Sequence, residues 1–244
     1  MNLLGAVDIH KSFGEVKALR GIDLSITNGE VVGLIGDNGA GKSTLVKIIM
    51  GVYPPDKGEL YFQGKKIEHY SVHKAEELGI EIVYQEQALA DLHTIWRNIF
   101  MGREMKNRLG FIDIKESKRK SLELLRELGF RGDIGPDSLI RHLSGGEREG
   151  VAIARAVYSK AKLVILDEPT AALSITEIEK VFQYVKTIRE SGNSCIVITH
   201  SLYQVYSMAD RFVILDRGRK IADILKKDTT MDELAESLRK AREA

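Results

Sequence analysis

The hydrophobic pattern of the chain falls into three stretches. The first holds short β-type apolar runs at residues 6–9, 22–26, 31–35 and 59–62. Turn signals separate them at Thr27-Asn28-Gly29 and Pro54-Pro55-Asp56. Residues 42–50 predict a helix with Leu45, Ile48 and Ile49 on one face, 72–78 predict another, and 81–84 predict a strand. From about residue 88 to 160 the strand signals fade and helical spacing takes over. Helices are predicted at 117–128, charged and leucine-spaced, and at 147–159, with Val151, Ile153, Ala154 and Val157. Strand and helix then alternate again. Residues 163–166 form a continuous apolar run, the mark of a central strand covered on both faces. A helix at 175–191, strands at 194–198 and 212–215 and a charged helix at 231–242 follow. This order predicts one α/β domain over 1–244: a largely parallel sheet, an N-terminal antiparallel portion and an inserted helical subdomain at about 88–160, between core segments 1–87 and 161–244.

Composition narrows the function classes. The chain is 43% hydrophobic, and its 36 Lys and Arg nearly balance its 35 Asp and Glu. That excludes disorder and gives no electrostatic case for a nucleic-acid binder. The single Cys195 allows neither an intrachain disulfide nor a cysteine zinc site; in its apolar run it reads as a buried core thiol. No run of about 18 apolar residues occurs, and the first residues lack a signal peptide's basic start and long apolar centre. A reducing cytosol is expected, with any membrane role exerted through a partner.

Residues Gly36 to Thr44 read GDNGAGKST and match G-x-x-x-x-G-K-[ST], between a predicted strand and a predicted helix. Glycines let the backbone wrap so that successive N–H groups converge on phosphate oxygens, and the helix N-terminus adds its positive dipole end. Gly36, Asp37, Asn38, Gly39, Ala40 and Gly41 form the cradle. Lys42 is placed to bridge β- and γ-phosphates, Ser43 to bind Mg²⁺, and Thr44 to touch the α-phosphate. Kinases, GTPases and motor ATPases share such a loop; no N-K-x-D guanine motif is present.

The run LVILDEP delivers Asp167 and Glu168 to the carboxyl end of a central strand, where ligands bind in such sheets. Alone the pair reads equally as two solvated carboxylates. Downstream of a phosphate loop, Asp167 is placed to hold Mg²⁺ and Glu168 to act as general base on water. A second anion-binding nest stands at LSGGE, where Ser144, Gly145 and Gly146 open a helix. Two nests in one chain suit a head-to-tail dimer in which each chain closes the other's nucleotide.

In order, Phe13-Gly14, GDNGAGKST, Gln85, LSGGE, LVILDEP and His200 resemble the ATP-binding cassette family, in its transporter ATPase subunits, over about residues 4–220. The resemblance implies a P-loop NTPase (RecA-like) core and, as ligands, ATP and Mg²⁺. It places Phe13 against adenine and Gln85 on Mg²⁺ and the attacking water, with the following segment meeting a membrane subunit. It puts His200 on the γ-phosphate, steadying Glu168, and Ser144–Gly146 on the γ-phosphate held by the other subunit. Two positions depart from the family pattern: Glu147 stands where Gln is usual, and Ser174 where an interface-crossing Asp is usual.

The remaining chemistry is sparse. His69 and His73 are four apart with no third ligand near, and the charge-rich stretch 103–131 reads as a solvated helical face. LSGGE and the DEP pair exclude a kinase. The stretch between Gln85 and Ser144 is too short for the long coiled coil of DNA-maintenance cassettes, and translation-type relatives carry two cassettes. The reading is therefore the energising subunit of an importer. NIFMGRE and DEPTAAL resemble monosaccharide importers of the ribose, xylose and fructose type; a branched-chain amino-acid importer is the alternative, and a soluble cassette ATPase a further one. The expected partners are a second copy, transmembrane permease subunits and, indirectly, a substrate-binding protein. The expected location is the cytoplasmic face of the membrane.

Overall fold

The computed structural model describes residues 2–68, 70–84, 88–128, 130, 134–159, 161–170 and 173–243, except the side chains of 240–243. Along the chain, β1 (Asn2–Phe13), β2 (Val16–Thr27) and β3 (Val31–Ile35) lead to α1 (Lys42–Ile49). Then come β4 (Lys57–Phe62), β5 (Lys65–Lys66), α2 (Val72–Leu78), β6 (Ile80–Val83), α3 (Ile95–Phe100), α4 (Ile114–Glu127) and α5 (Gly145–Tyr158). The last third holds β7 (Leu163–Asp167), α6 (Ile175–Glu190), β8 (Ser194–Thr199), α7 (Leu202–Met208), β9 (Arg211–Asp216), β10 (Arg219–Leu225) and α8 (Met231–Glu243).

Two sheets form. One is antiparallel, ordered β2-β1-β4-β5; the other is ordered β10-β9-β3-β8-β7-β6, parallel except for the edge strand β10. Alternation along the central strands divides the core in two. Val32, Leu34, Ile165, Ile196 and Ile198 pack with Leu45, Ile48 and Ile49 of α1 and with the antiparallel sheet. Val31, Ile35, Val164, Leu166, Cys195 and Val197 face the other way, into a core with α3, α5, α6 and α7. The loop helix α1 thus lies between the sheets, and the remaining large helices cover the opposite face. Cys195 is fully buried, and burial raises its thiol pKa.

A buried guanidinium fixes the base of β3. Arg211 donates to both oxygens of Glu30, to Asp223 Oδ1 at 2.7 Å and to the Ser25 carbonyl. It ties β2, β9 and β10 to the residue just before β3. A charge buried this way persists only with such partners.

Several elements exceed the sequence pattern. β1 and β2 run twelve residues each, because backbone pairing continues past their last core side chains. The six-residue α3 is too short to show periodicity, and β10 alternates exposed with half-exposed positions as an edge strand does. The stretch 103–131 is not simply a solvated face. In α4, Ser117, Ser121, Leu124 and Leu125 are buried, Arg103 pairs with Glu81, and apolar Leu109, Phe111, Ile112 and Ile114 are exposed instead. No helix among the described residues is long and apolar enough to cross a membrane.

Candidate functional site

The loop Gly36–Thr44 joins the buried strand β3 to α1. Gly36 must be glycine: a Cβ there would stand 2.4 Å from the Leu215 carbonyl oxygen of β9. Gly41, the N-cap of α1, takes φ 104°, and a Cβ on it would stand 2.8 Å from the Ala18 carbonyl oxygen. Both positions let the loop run against neighbouring backbone. Ala40 N–H donates to Asp37 O at 3.1 Å, and Gly218 N–H donates to Ala40 O at 3.0 Å. Inside this ring Lys42 is buried, its Nζ donating to Gly36 O at 2.6 Å and Asp37 O at 3.0 Å.

The charges around Lys42 come from the end of β7 and from the loop itself. Burial pushes its ammonium below the ordinary lysine range, while Glu168, Asp167 and Asp37 pull it back up. Asp167 shows the reverse balance. Burial and then the adjacent Glu168 raise its carboxyl pKa, and Lys42 and Lys47 only partly offset them. Two carboxylates at one strand end beside one buried lysine leave a surplus of negative charge. The exposed Ser43 hydroxyl and the Asp167 carboxylate are hard oxygen donors, the set that suits Mg²⁺. No cluster of three or more His, Cys, Asp or Glu side chains is placed to hold a metal among the described residues. A cation held by one hydroxyl, one carboxylate and phosphate oxygens needs none.

Glu168 is bent out of the strand. Its φ is 52°, in the left-handed region, while its N–H continues the β7–β8 ladder by donating to Ile198 O at 2.9 Å. The other three non-glycine residues with such φ among those described, Asp8, Gln63 and Arg217, lie at a strand irregularity or hairpin turns. Such a conformation costs about 1–2 kcal/mol. Here it turns the Glu168 carboxylate onto His200, whose Nδ1 lies 3.0 Å from Oε1. A carboxylate only accepts, so Nδ1–H is the donor. The His200 side chain is 69% exposed and that of Glu168 15%.

Ser144 caps α5, and Glu147 completes a capping box: its Oε2 accepts from Ser144 N–H at 2.9 Å. The unusual carboxylate at position 147 is thereby turned onto its own helix start. A residue that the sequence pattern did not flag joins them. Glu177 of α6 accepts from Gly146 N–H at 3.0 Å through Oε1, and from Ser174 N–H and Oγ at 3.0 and 2.8 Å through Oε2. These donors hold its carboxyl pKa down at about 2. Ser174, the other unusual position, is the N-cap of α6. The readable signal was the S-x-x-E spacing, present at both 144–147 and 174–177.

Phe13 ends β1 half-exposed, edge-on to Tyr53 at 5.3 Å, with Lys11 Nζ 5.7 Å from its ring. Tyr53 N–H donates to Lys47 O at 3.3 Å, which connects the aromatic pair to the end of α1. Tyr53 thus lies beside Phe13, and Lys47 acts on Asp167, where no motif marks either. Gln85 and His69 lie outside the described residues. His73 is strongly exposed and pairs with Glu77 at 3.2 Å.

Comparison with known proteins agrees with this geometry. Residues 19–171 match the profile of the family described as ABC transporter. The chain is 47% identical to the xylose/arabinose import ATP-binding protein XylG of Sulfolobus acidocaldarius, over 96% of this chain and 93% of that one. It is 39% identical to the ribose import ATP-binding protein RbsA of Caldanaerobacter subterraneus subsp. tengcongensis, over 94% of this chain but 46% of the relative; the chain thus spans about half the length of that protein. Among solved structures, a nucleotide-free ATP-binding cassette from an ABC transporter superposes with a TM-score of 0.86 at 28% identity, covering 100% of this chain and 98% of that one. The dimeric structure of a bacterial ABC transporter cassette gives a TM-score of 0.78 at 26% identity, over 92% and 99%. By sequence and by fold alike, the chain belongs to the ABC transporter family, as its ATP-binding cassette.

Proposed function

We propose that this cassette binds and hydrolyses ATP to energise a sugar importer. The observation that carries the reading is the meeting of three features at the carboxyl ends of adjacent parallel strands. Lys42 sits in its loop after β3, Asp167 and Glu168 end β7, and His200 follows β8. The loop amides and Lys42 take the triphosphate, and Phe13 offers its face to the base. Ser43, Asp167 and Gln85 hold Mg²⁺, which when bound neutralises phosphate charge and orients the terminal phosphoryl group. Glu168 takes a proton from the attacking water, and the His200 bond fixes the carboxylate's direction.

Ser144, Gly145 and Gly146 are 102 or more positions from Lys42 in sequence and belong to a separate helix start. In the reading favoured here they close over the nucleotide of a second copy. ATP binds the closed pair better than the open one, so binding drives closure and hydrolysis releases it. Permease subunits at the cytoplasmic face of the membrane convert closure into transport. The sugar reading rests on the pentose-import relatives and on NIFMGRE and DEPTAAL. The test is affinity purification of the tagged chain from solubilised native membranes. Co-purification of a multi-span membrane protein near one-to-one supports the reading, and uptake of its cognate pentose should then depend on Lys42. Recovery with ribosomes, DNA or no partner contradicts it.

A further inference from the structure

Glu177 touches neither the phosphate loop nor the Glu168–His200 pair, yet it bonds the two segments on which the proposed dimer depends. Its Oε1 holds the Gly146 amide at the start of α5, and its Oε2 holds Ser174 at the start of α6. The contact is close because the signature residues are glycines. A Cβ on Gly145 would lie 2.8 Å from Leu173 Cδ2, and one on Gly146 would lie 2.9 Å from both Cβ and Cγ of Glu177. The two glycines therefore serve packing against 173–177 as well as exposing backbone N–H groups. Upstream, two residues are anchored beside the reacting end of β7: Glu168 is bonded to His200, and Thr170 Oγ1 donates to Gln204 Oε1 at 2.5 Å. Ser174 follows Glu168 by six positions in sequence, and one carboxylate joins Ser174 to Gly146. That carboxylate stays ionised over the physiological range because the Gly146 amide, the Ser174 amide and hydroxyl and, least, the Ser144 hydroxyl stabilise it.

We infer that Glu177 is a positioning residue that couples the Glu168 segment of one nucleotide site to the Ser144–Gly146 turn the same chain presents to its partner's site. The inference rests on the head-to-tail dimer reading above. A shift of Ser174 on hydrolysis is carried by Glu177 to the first turn of α5, so the state of one site is reported to the other. Glu147 reaches α6 only through a longer ion pair, Lys180 Nζ to its Oε1 at 3.8 Å, while its Oε2 accepts from Ser144 N–H of its own helix.

The experiment compares the full-length wild type with Glu177→Ala and Glu177→Gln. For each, nucleotide affinity is read with a fluorescent ATP analogue at low protein concentration, where the chain is monomeric. Hydrolysis is read against ATP and protein concentration. Glu177→Ala should keep its monomer affinity within about twofold, lose roughly tenfold or more in kcat and lose any sigmoidal dependence on ATP. Glu177→Gln, which keeps its shape and one acceptor oxygen, should fall between and guards against misfolding of the alanine variant. Unchanged kcat and ATP dependence in both variants overturns the inference. So does a loss of monomer affinity equal to the loss of kcat, which would mark simple damage to the chain's own site. Failure of the dimer reading shows separately, as a wild-type specific activity independent of protein concentration.

Discussion

His200 Nδ1 and Glu168 Oε1 lie 3.0 Å apart, at the ends of neighbouring parallel strands whose register pairs Asp167 with Ile198. The bond is made possible by the left-handed backbone of Glu168. An extended residue there would continue the strand's alternation and point elsewhere. A strained backbone at a carboxylate facing a solvent-exposed histidine is the kind of outlier found at reacting centres. His200→Ala removes the orienting donor but no phosphate-loop group. Hydrolysis should fall roughly 10²-fold, the scale of a misplaced catalytic group. ATP affinity of the monomer, read by calorimetry, should change little; an equal loss in both would make His200 a binding residue instead.

Asp167→Asn separates stability from activity. The carboxyl pKa of Asp167 is raised by burial and by Glu168, with Lys42 and Lys47 insufficient to reverse it. A raised carboxyl pKa means that stability falls as pH rises through the folded value, so at neutral pH the ionised form is a burden on the fold. Removing that charge should raise the melting temperature in metal-free buffer by about 2–4 °C, the shift roughly 1 kcal/mol gives a chain of this size. Mg²⁺-dependent hydrolysis should fall by about 10²–10³-fold, as when a group that stabilises transition-state charge is removed. Calorimetric melting with and without Mg²⁺ checks both.

Gly36→Ala tests the packing beneath the loop. The added methyl would meet the Leu215 carbonyl oxygen at 2.4 Å and Ala40 Cβ at 3.0 Å. Overpacking of this kind destabilises by about 1–3 kcal/mol, which a urea unfolding curve resolves. Nucleotide affinity should drop with it, because the loop amides that point at phosphate hang from this turn.

Much of this was legible in the sequence. The strand–loop–helix around Lys42, the strand ending in Asp167 and Glu168 and the cap at Ser144 each announce themselves through a fixed spacing plus a change of hydrophobic period. What stayed hidden depends on tertiary contacts. Short α3 and edge strand β10 carry too little periodicity, and Tyr53 and Lys47 join Phe13 and Asp167 to α1 only through the fold. Glu177 was readable as a helix cap, yet its hold on Gly146 spans 31 positions and no local rule predicts it.

The ionisation of Glu177 gives a pH prediction. Its carboxyl is held at about 2, below its ordinary value of 4.5, first by the Gly146 and Ser174 amides and then by the Ser174 hydroxyl. A depressed folded-state pKa gives stabilisation that is complete above the unfolded value and lost as pH falls toward the folded one. The gap in urea midpoint between wild type and Glu177→Gln should therefore be constant above about pH 5 and narrow between 4.5 and about 2. A gap that widens on acidification would contradict the assigned bonds.

The most direct measurement is ATP turnover and self-association of Glu168→Gln with Mg²⁺ present. This variant should bind ATP, sediment as a nucleotide-bound dimer and hydrolyse almost nothing, because the amide keeps the His200 contact but cannot take a proton from water. Near-normal turnover, or a variant that stays monomeric with ATP bound, would contradict this.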